Sequence, residues 1–156
     1  MRRERREAVA DWLIVIGAAV LFGSLFLTWS HQFSSAFLAA WGASDALRGV
    51  PHNPTAWQVY SSVDVVLAVL ALALVLAALL GNRAARLCAA AGCVIAVVFA
   101  AHALAHPPTN GANIFNPALS VPTYASNDPA PGPGEVVALA GLGVSLGGLA
   151  LSFTAD

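Results

Sequence analysis

Charged residues are scarce in this chain of 156 residues. Only 10% are Asp, Glu, Lys or Arg, whereas 58% are hydrophobic and the mean hydropathy is +0.75. Such a composition leaves little of the chain for a soluble domain. The one arginine-rich segment, 2–6, is interrupted by an acid and directly precedes an apolar run. It is typical of a membrane-topology signal that attracts anionic headgroups, and we expect no binding of nucleic acid.

Cysteine is almost absent, because the chain contains only Cys88 and Cys93. Five residues apart on a helix, the two side chains point about 140° from each other and cannot form a disulfide within that helix. We interpret them as small apolar packing residues, with an intermolecular or redox role as the alternative. The long connections contain no cysteine, which excludes an outer domain held together by disulfides.

Recognisable catalytic motifs are also lacking. The chain has no phosphate-binding glycine loop, no nucleophile elbow and no zincin helix. Its serines have no base beside them in sequence, which disfavours a Ser-His-Asp site. We therefore predict that the protein is not an enzyme, with a metal-dependent membrane enzyme as the remaining enzymatic hypothesis.

Four long apolar segments dominate what is present. Each has about the 18–20 residues that a helix needs to cross a bilayer, in which its backbone groups are satisfied internally. They span residues 11–29, 63–80, 87–104 and 136–153. The first run is too long for a signal peptide and lacks a clean cleavage site. The sequence thus predicts an all-α membrane protein, an up-down four-helix transmembrane bundle that forms one domain over 1–156.

The distribution of arginine predicts the orientation. Arg2, Arg3, Arg5 and Arg6 precede the first span, and the short connection after the second span contains Arg83 and Arg86. Positive flanks stay on the cytoplasmic side. We expect both termini in the cytoplasm, the connections 30–62 and 105–134 outside, and a location in the cell (inner) membrane.

Aromatic residues mark the expected membrane interfaces. Trp12 and Trp29 are seventeen residues apart, which corresponds to about 25 Å of helix, so their indoles can reach opposite headgroup regions. Trp57 and Tyr60 are expected at the outer interface, before the second span. Residues 34–47 of the first outer connection have the apolar spacing of a short helix lying on the membrane surface.

Small residues in the fourth span indicate close helix packing. Gly143 and Gly147 form a GxxxG pair, which lets a neighbouring helix approach the backbone. We predict that this pair packs inside the bundle, with a dimerisation face as the alternative.

Four ionisable side chains are predicted at similar depth near the outer ends of the spans. Counted from the hairpin at 81–83, Asp64 and His102 lie equally far along the second and third spans; His106 follows four residues after His102, and Glu135 begins the fourth span. Such a group can hold zinc or relay protons. We interpret these residues as structural, since acids stabilise helix N-termini and helix ends are readily solvated, and keep metal or proton chemistry as the alternative. His31 and His52 are expected to face solvent.

The order of these features resembles small four-span membrane proteins of actinobacteria. The matching residues are 25–29 (LFLTW), 55–64 (TAWQVYSSVD), the short arginine-containing hairpin and the glycine-rich last helix. That family usually has Leu-Pro-Trp where this chain has Leu27-Thr28-Trp29. The resemblance implies a four-helix membrane bundle and no particular activity.

The sequence therefore favours a non-enzymatic function. We predict an interaction or accessory subunit of a cell-envelope membrane complex, embedded in the lipid bilayer and contacting another membrane protein or a second copy of itself. No cofactor is expected, with zinc as the alternative. The competing hypothesis is an oligomeric channel or transporter with an Asp/His site at the outer interface.

Overall fold

The computed structural model describes residues 3–31, 33, 35–41, 43, 53–59, 62–107 and 130–154. Within these ranges six helices and two short strands follow one another along the chain. They are α1 (Arg3–Ser24), β1 (Ser30–His31), α2 (Ser35–Trp41), α3 (Ala56–Val59), α4 (Val63–Leu80), α5 (Arg83–Ala105), β2 (Ala130–Pro131) and α6 (Pro133–Phe153).

Helices α1, α4, α5 and α6 are long and apolar enough to cross a membrane, which fits a multi-pass membrane protein. The predicted span 63–80 coincides with α4, and the predicted spans 87–104 and 136–153 lie within α5 and α6. The predicted first span, 11–29, is wrong at its end. There α1 stops at Ser24, and the chain continues in tight turns in which the amides of Leu25 and Phe26 bond to carbonyl oxygens three residues earlier.

The four long helices form a ring in which each helix contacts two others. α1 packs against α4 and α6, and α5 packs against the same two helices from the other side. This is the neighbour pattern of an up-down bundle closed by its first and last helices. The ring has two ends. We call the end at the turn 81–82 the hairpin end, and the opposite end, at β1 and β2, the cap end.

The pair of α1 and α6 is the most extensive helix contact, and glycines make it close. A Cβ added at Gly141 would lie 2.7 Å from the Leu21 amide nitrogen, and one at Gly148 would lie 2.7 Å from the Ala10 carbonyl oxygen. Gly17 is equally confined on the opposite helix. Only glycine permits this approach of two helix backbones, which is the usual contact between helices in lipid.

The predicted glycine pair lies on a different face of α6. No described atom lies within 4 Å of the position that a Cβ would take on Gly143 or Gly147, and both residues are exposed. The prediction that they pack inside the bundle is therefore wrong for the described structure. At 100° per residue, the face of α6 that contains Gly141, Ser145 and Gly148 points to α1, and the GxxxG pair points outward.

At the cap end, Trp29 joins the two long connections. Its amide donates to the carbonyl of Pro54 (3.0 Å), its carbonyl accepts from the amide of Gly132 (2.9 Å), and its indole Nε1 donates to the carbonyl of Ser24 (2.8 Å). Beside it, β1 pairs with β2 in antiparallel register, Ser30 opposite Pro131. The chain segments before and after the bundle's middle helices are thereby bonded to each other.

The tryptophans consequently differ in their surroundings. Trp12 is 67% exposed and Trp57 is 39% exposed, whereas Trp29 is fully buried. The prediction that the indoles of Trp12 and Trp29 lie at opposite membrane interfaces is wrong for Trp29. The helix α1 ends five residues before it, and its indole is buried in the protein. Tyr60 lies outside the described residues. In the connection between α1 and α4, α2 lies within the range 34–47 for which the sequence predicts a short helix.

We predict that Gly141→Ala destabilises the bundle and that Gly143→Ala does not. The new methyl group at Gly141 must displace the backbone of α1, and overpacking of this kind costs about 1–3 kcal/mol. At Gly143 the methyl group meets no described atom, and alanine favours the helix. Thermal unfolding in detergent, followed by tryptophan fluorescence, measures both variants. Equal midpoints for the two variants would contradict the packing described for α6.

Candidate functional site

All four ionisable residues that the sequence singles out lie at the cap end. Asp64 is in the first turn of α4 and Glu135 is in the first turn of α6. His102 is in the last turn of α5, and His106 is the residue that caps this helix. Because α4 and α6 run away from the cap end while α5 runs towards it, the similar depth predicted from residue counting is consistent with the helix order.

The two carboxylates are completely buried. Asp64 and Glu135 both have no exposed surface, and neither oxygen of either side chain has a hydrogen-bond partner within the described part of the chain. The residue before α4, Ser62, makes no side-chain cap bond either. The helix N-terminus is the one favourable influence that the described residues provide, and it contributes about 0.3–1 kcal/mol. Burying a polar group without a partner costs more, about 1–3 kcal/mol.

In contrast to the two carboxylates, the two histidines lie on the surface of the protein. His102 and His106 are exposed, and their rings stack with centroids 4.7 Å apart and an interplanar angle of 29°. The His106 amide donates to the His102 carbonyl oxygen (2.8 Å), which holds the second ring one helical turn beyond the first. Neither imidazole donates to Asp64, because the oxygens of this carboxylate have no partner among the described residues. No hydrogen bond from either histidine to Asp64 therefore links α5 to α4 in the described structure.

The four residues thus do not converge into one site. Among the described residues, no three His, Cys, Asp or Glu side chains are grouped so that they could hold a metal ion. The carboxylates of Asp64 and Glu135 lie inside the protein, and the imidazoles lie on its surface. The residues that the sequence proposed for a shared zinc centre therefore separate into two buried acids and an exposed histidine pair.

The other two histidines are His31 and His52. His31, in β1, has its Nδ1 2.7 Å from the Asn53 side-chain oxygen, so its ring is held by the first connection. His52 lies outside the described residues. The two cysteines differ as well: Cys93 is fully buried in the bundle core, whereas Cys88 is exposed.

An ion pair at the hairpin end was not anticipated from the sequence. Arg86 Nη2 lies 2.7 Å from Asp11 Oδ1, with the arginine side chain 11% exposed and the aspartate 36% exposed. Asn82 caps α5 there by accepting a bond from the Ala84 amide (2.9 Å). The partners are 75 residues apart, so no local pattern relates them. The available signal was one acid and one base near the starts of two spans that run in the same direction.

No protein-family model, curated protein or solved structure matches this chain.

We predict that the same chemical change has different effects at the two ends of the bundle. Asp11→Asn leaves the largely buried Arg86 without its ion-pair partner and should lower the free energy of unfolding by about 1–2 kcal/mol. Asp64→Asn removes a buried carboxyl that has no described hydrogen bond to lose, so we expect no decrease.

Thermal unfolding of both variants and the parent protein, in one detergent at neutral pH, measures the difference. A clear loss of stability in Asp64→Asn would mean that a partner stabilises this carboxyl in the folded protein.

Proposed function

We propose that the protein is an interaction or accessory subunit of a cell-envelope membrane complex and is not itself an enzyme. The observation that carries the proposal is the apolar character of the side chains buried within the four-helix ring. A protein of this kind can act through its surfaces, since the described part of its interior offers few polar groups for conduction or chemistry.

Branched aliphatic side chains are buried in the interior at successive depths. Ile14, Leu21, Leu74, Leu142 and Leu149 are each at most 1% exposed. Besides the two carboxylates and Ser30 of β1, the described buried polar side chains are Ser24 of α1, whose hydroxyl donates to the Leu21 carbonyl oxygen (2.6 Å), and two serines of α6. Their hydroxyls donate to backbone carbonyls of the helices, Ser145 to Ile14 (3.5 Å) and Ser152 to Leu149 (2.7 Å). A conducting path requires polar groups that face a lumen, and these serines face helix backbones.

The proposed contact surface is the outward face of α6. Its exposed residues recur at helical spacing and are small or β-branched: Val136, Ala140, Gly143, Val144, Gly147 and Ala150. In lipid, helices associate through van der Waals packing, and small residues permit close approach. The partner we propose is a transmembrane helix of another membrane protein, with a second copy of this chain as the competing outcome.

We further propose the orientation in which the hairpin end faces the cytoplasm. The arginines at the start of α1 and the two arginines at the start of α5 lie at this end, as positive residues do on the side that is not translocated. The cap end then faces outward from the cell membrane. The resemblance to four-span proteins of actinobacteria is consistent with this arrangement and remains a proposal.

We predict that the double variant Gly143→Leu/Gly147→Leu loses the partner without losing the fold. The Cβ of each leucine meets no described atom within 4 Å, but both side chains would separate a helix packed on this face. Affinity purification in mild detergent, with mass spectrometry of the co-purified proteins, measures the loss. A single protein band with the parent chain would contradict the proposal, and recovery of differently tagged copies of this chain alone would identify self-association.

A matched control is available on another helix. Gly23 of α1 is also exposed, and no described atom lies within 4 Å of the position that a Cβ would take there. Gly23→Leu adds one leucine, half the apolar bulk of the double variant, to an exposed helix surface and should retain the partner. It is the comparison for each single variant, Gly143→Leu and Gly147→Leu. Loss of the partner in Gly23→Leu as well would indicate a general effect of added bulk.

A transport function is the second candidate, and the buried carboxylates favour it. Ionisable groups inside a membrane protein are costly and commonly serve ion or proton movement, and neither Asp64 nor Glu135 has a described partner. An oligomer could place these residues along a path that one chain does not form.

Proton flux into liposomes that contain a pH-sensitive dye separates the two candidates. As an accessory subunit, the parent protein and Asp64→Asn should both give the flux of empty liposomes. Flux above that level, abolished in Asp64→Asn and unchanged in Asp11→Asn, would establish transport and replace the first proposal.

A further inference from the structure

The exposed histidine pair can act independently of the buried acids. We propose that His102 and His106 form a two-imidazole binding site for a divalent transition-metal ion on the surface of α5, at the cap end. The remaining coordination positions of the ion would be taken by water. This site goes beyond the proposed interaction function and does not depend on it.

The geometry of α5 brings the two rings to one place. Residues four apart lie on the same face of a helix, about one turn from each other. The ring centroids of His102 and His106 are 4.7 Å apart. Two metal–nitrogen bonds of about 2.0–2.1 Å can join donor nitrogens that are up to about 4 Å apart. In the stack the two ring planes are nearly parallel, so the side chains must rotate out of it to direct one nitrogen each at a common ion. Both rings are exposed, which leaves room for this rotation and for the ion.

The position along the helix favours access from water. From Arg83, at the hairpin end, His102 is nineteen residues away and His106 is twenty-three, or about 29 and 35 Å at 1.5 Å per residue. The hydrocarbon core of a bilayer is about 30 Å thick. When the hairpin end lies at one interface, the histidine pair lies at the other, where the ion can be hydrated.

The electrostatic surroundings favour a cation. The pair occupies the last turn and the C-cap of α5, and the C-terminal end of a helix carries the negative part of its dipole. Asp64 and Glu135 are at the same end of the bundle but are buried, so they do not occupy the coordination positions. His31 is held by Asn53 and is not needed for the site.

The donor set determines the class of metal. Neutral imidazole suits Zn²⁺, Ni²⁺ and Cu²⁺, whereas Mg²⁺ and Ca²⁺ prefer oxygen ligands. For a site of two nitrogens and water, the Irving–Williams order places Cu²⁺ first. We expect Cu²⁺ to bind most tightly, Ni²⁺ and Zn²⁺ to bind more weakly, and Mg²⁺ not to compete.

Titration of the full-length protein with Cu²⁺ tests the proposal. The chain is purified in detergent with a tag that lacks histidine and is treated with a chelator before isothermal titration. We expect one equivalent of Cu²⁺ per chain, displaced by acid because protons compete for the imidazoles. The electron paramagnetic resonance spectrum should show hyperfine coupling to nitrogen.

Single variants then distinguish this site from others. His102→Ala and His106→Ala each remove one of two ligands from an exposed position and should each abolish the one-equivalent binding with the fold intact. His31→Ala is the matched control and should bind as the parent does. Absence of stoichiometric binding in the parent would overturn the proposal, as would binding that persists in both single variants. Either result leaves the partner experiment on α6 unaffected.

Discussion

The contact between the backbones of α1 and α6 is the constraint on which the remaining structure depends. Gly17, Gly141 and Gly148 remove the side chains that would separate these helices. In lipid, apolar area alone does not drive helices together, so close packing has to supply the association. Because α1 and α6 are the first and last spans, their contact closes the ring and fixes where α4 and α5 must lie. It also sets the end of α1 beside the beginning of α6.

The arrangement of the cap end follows from that closure. Beyond α1, Thr28 and Trp29 lie against Gly132 and Gly134, where no side chain would fit. The Gly134 amide donates to the Thr28 carbonyl oxygen (2.8 Å), and β1 pairs with β2. The indole N–H of Trp29 donates a hydrogen bond to the carbonyl oxygen of Ser24. A buried tryptophan with satisfied polar groups therefore positions the start of α6, and with it the first turn that contains Glu135.

The sequence predicted the number of long helices because hydropathy over about twenty residues records what a bilayer requires of a span. It could not predict the end of α1, since Leu25–Trp29 is as apolar as a helix interior and its turn depends on bonds to Pro54 and Gly132. Likewise, the glycines of α6 form two rows at helical spacing, Gly141 with Gly148 and Gly143 with Gly147. Spacing alone does not determine which row packs against α1. The close contact of Gly17 with the backbone at Gly141 does. Residue counting predicted that the four ionisable side chains lie at one end of the bundle. Whether each of them points into the protein or out of it depends on the rotation of its helix, which the neighbouring helices determine.

Helix direction gives the separated acids and histidines a common physical origin. In an up-down bundle, one end collects the N-termini of two helices and the C-termini of the other two. At the cap end, Asp64 and Glu135 therefore lie at the positive ends of α4 and α6, and His102 and His106 lie at the negative end of α5. The dipoles partly compensate acids that have no described hydrogen-bond partner, but they leave most of the desolvation cost in place. The imidazoles, in contrast, remain exposed and do not bond to the acids. A fold that had brought both pairs together would have neutralised them as ion pairs across the helices. By keeping them apart, this fold retains two buried acids whose desolvation cost the described structure offsets only in part. It also retains two surface imidazoles whose nitrogens remain accessible to a ligand.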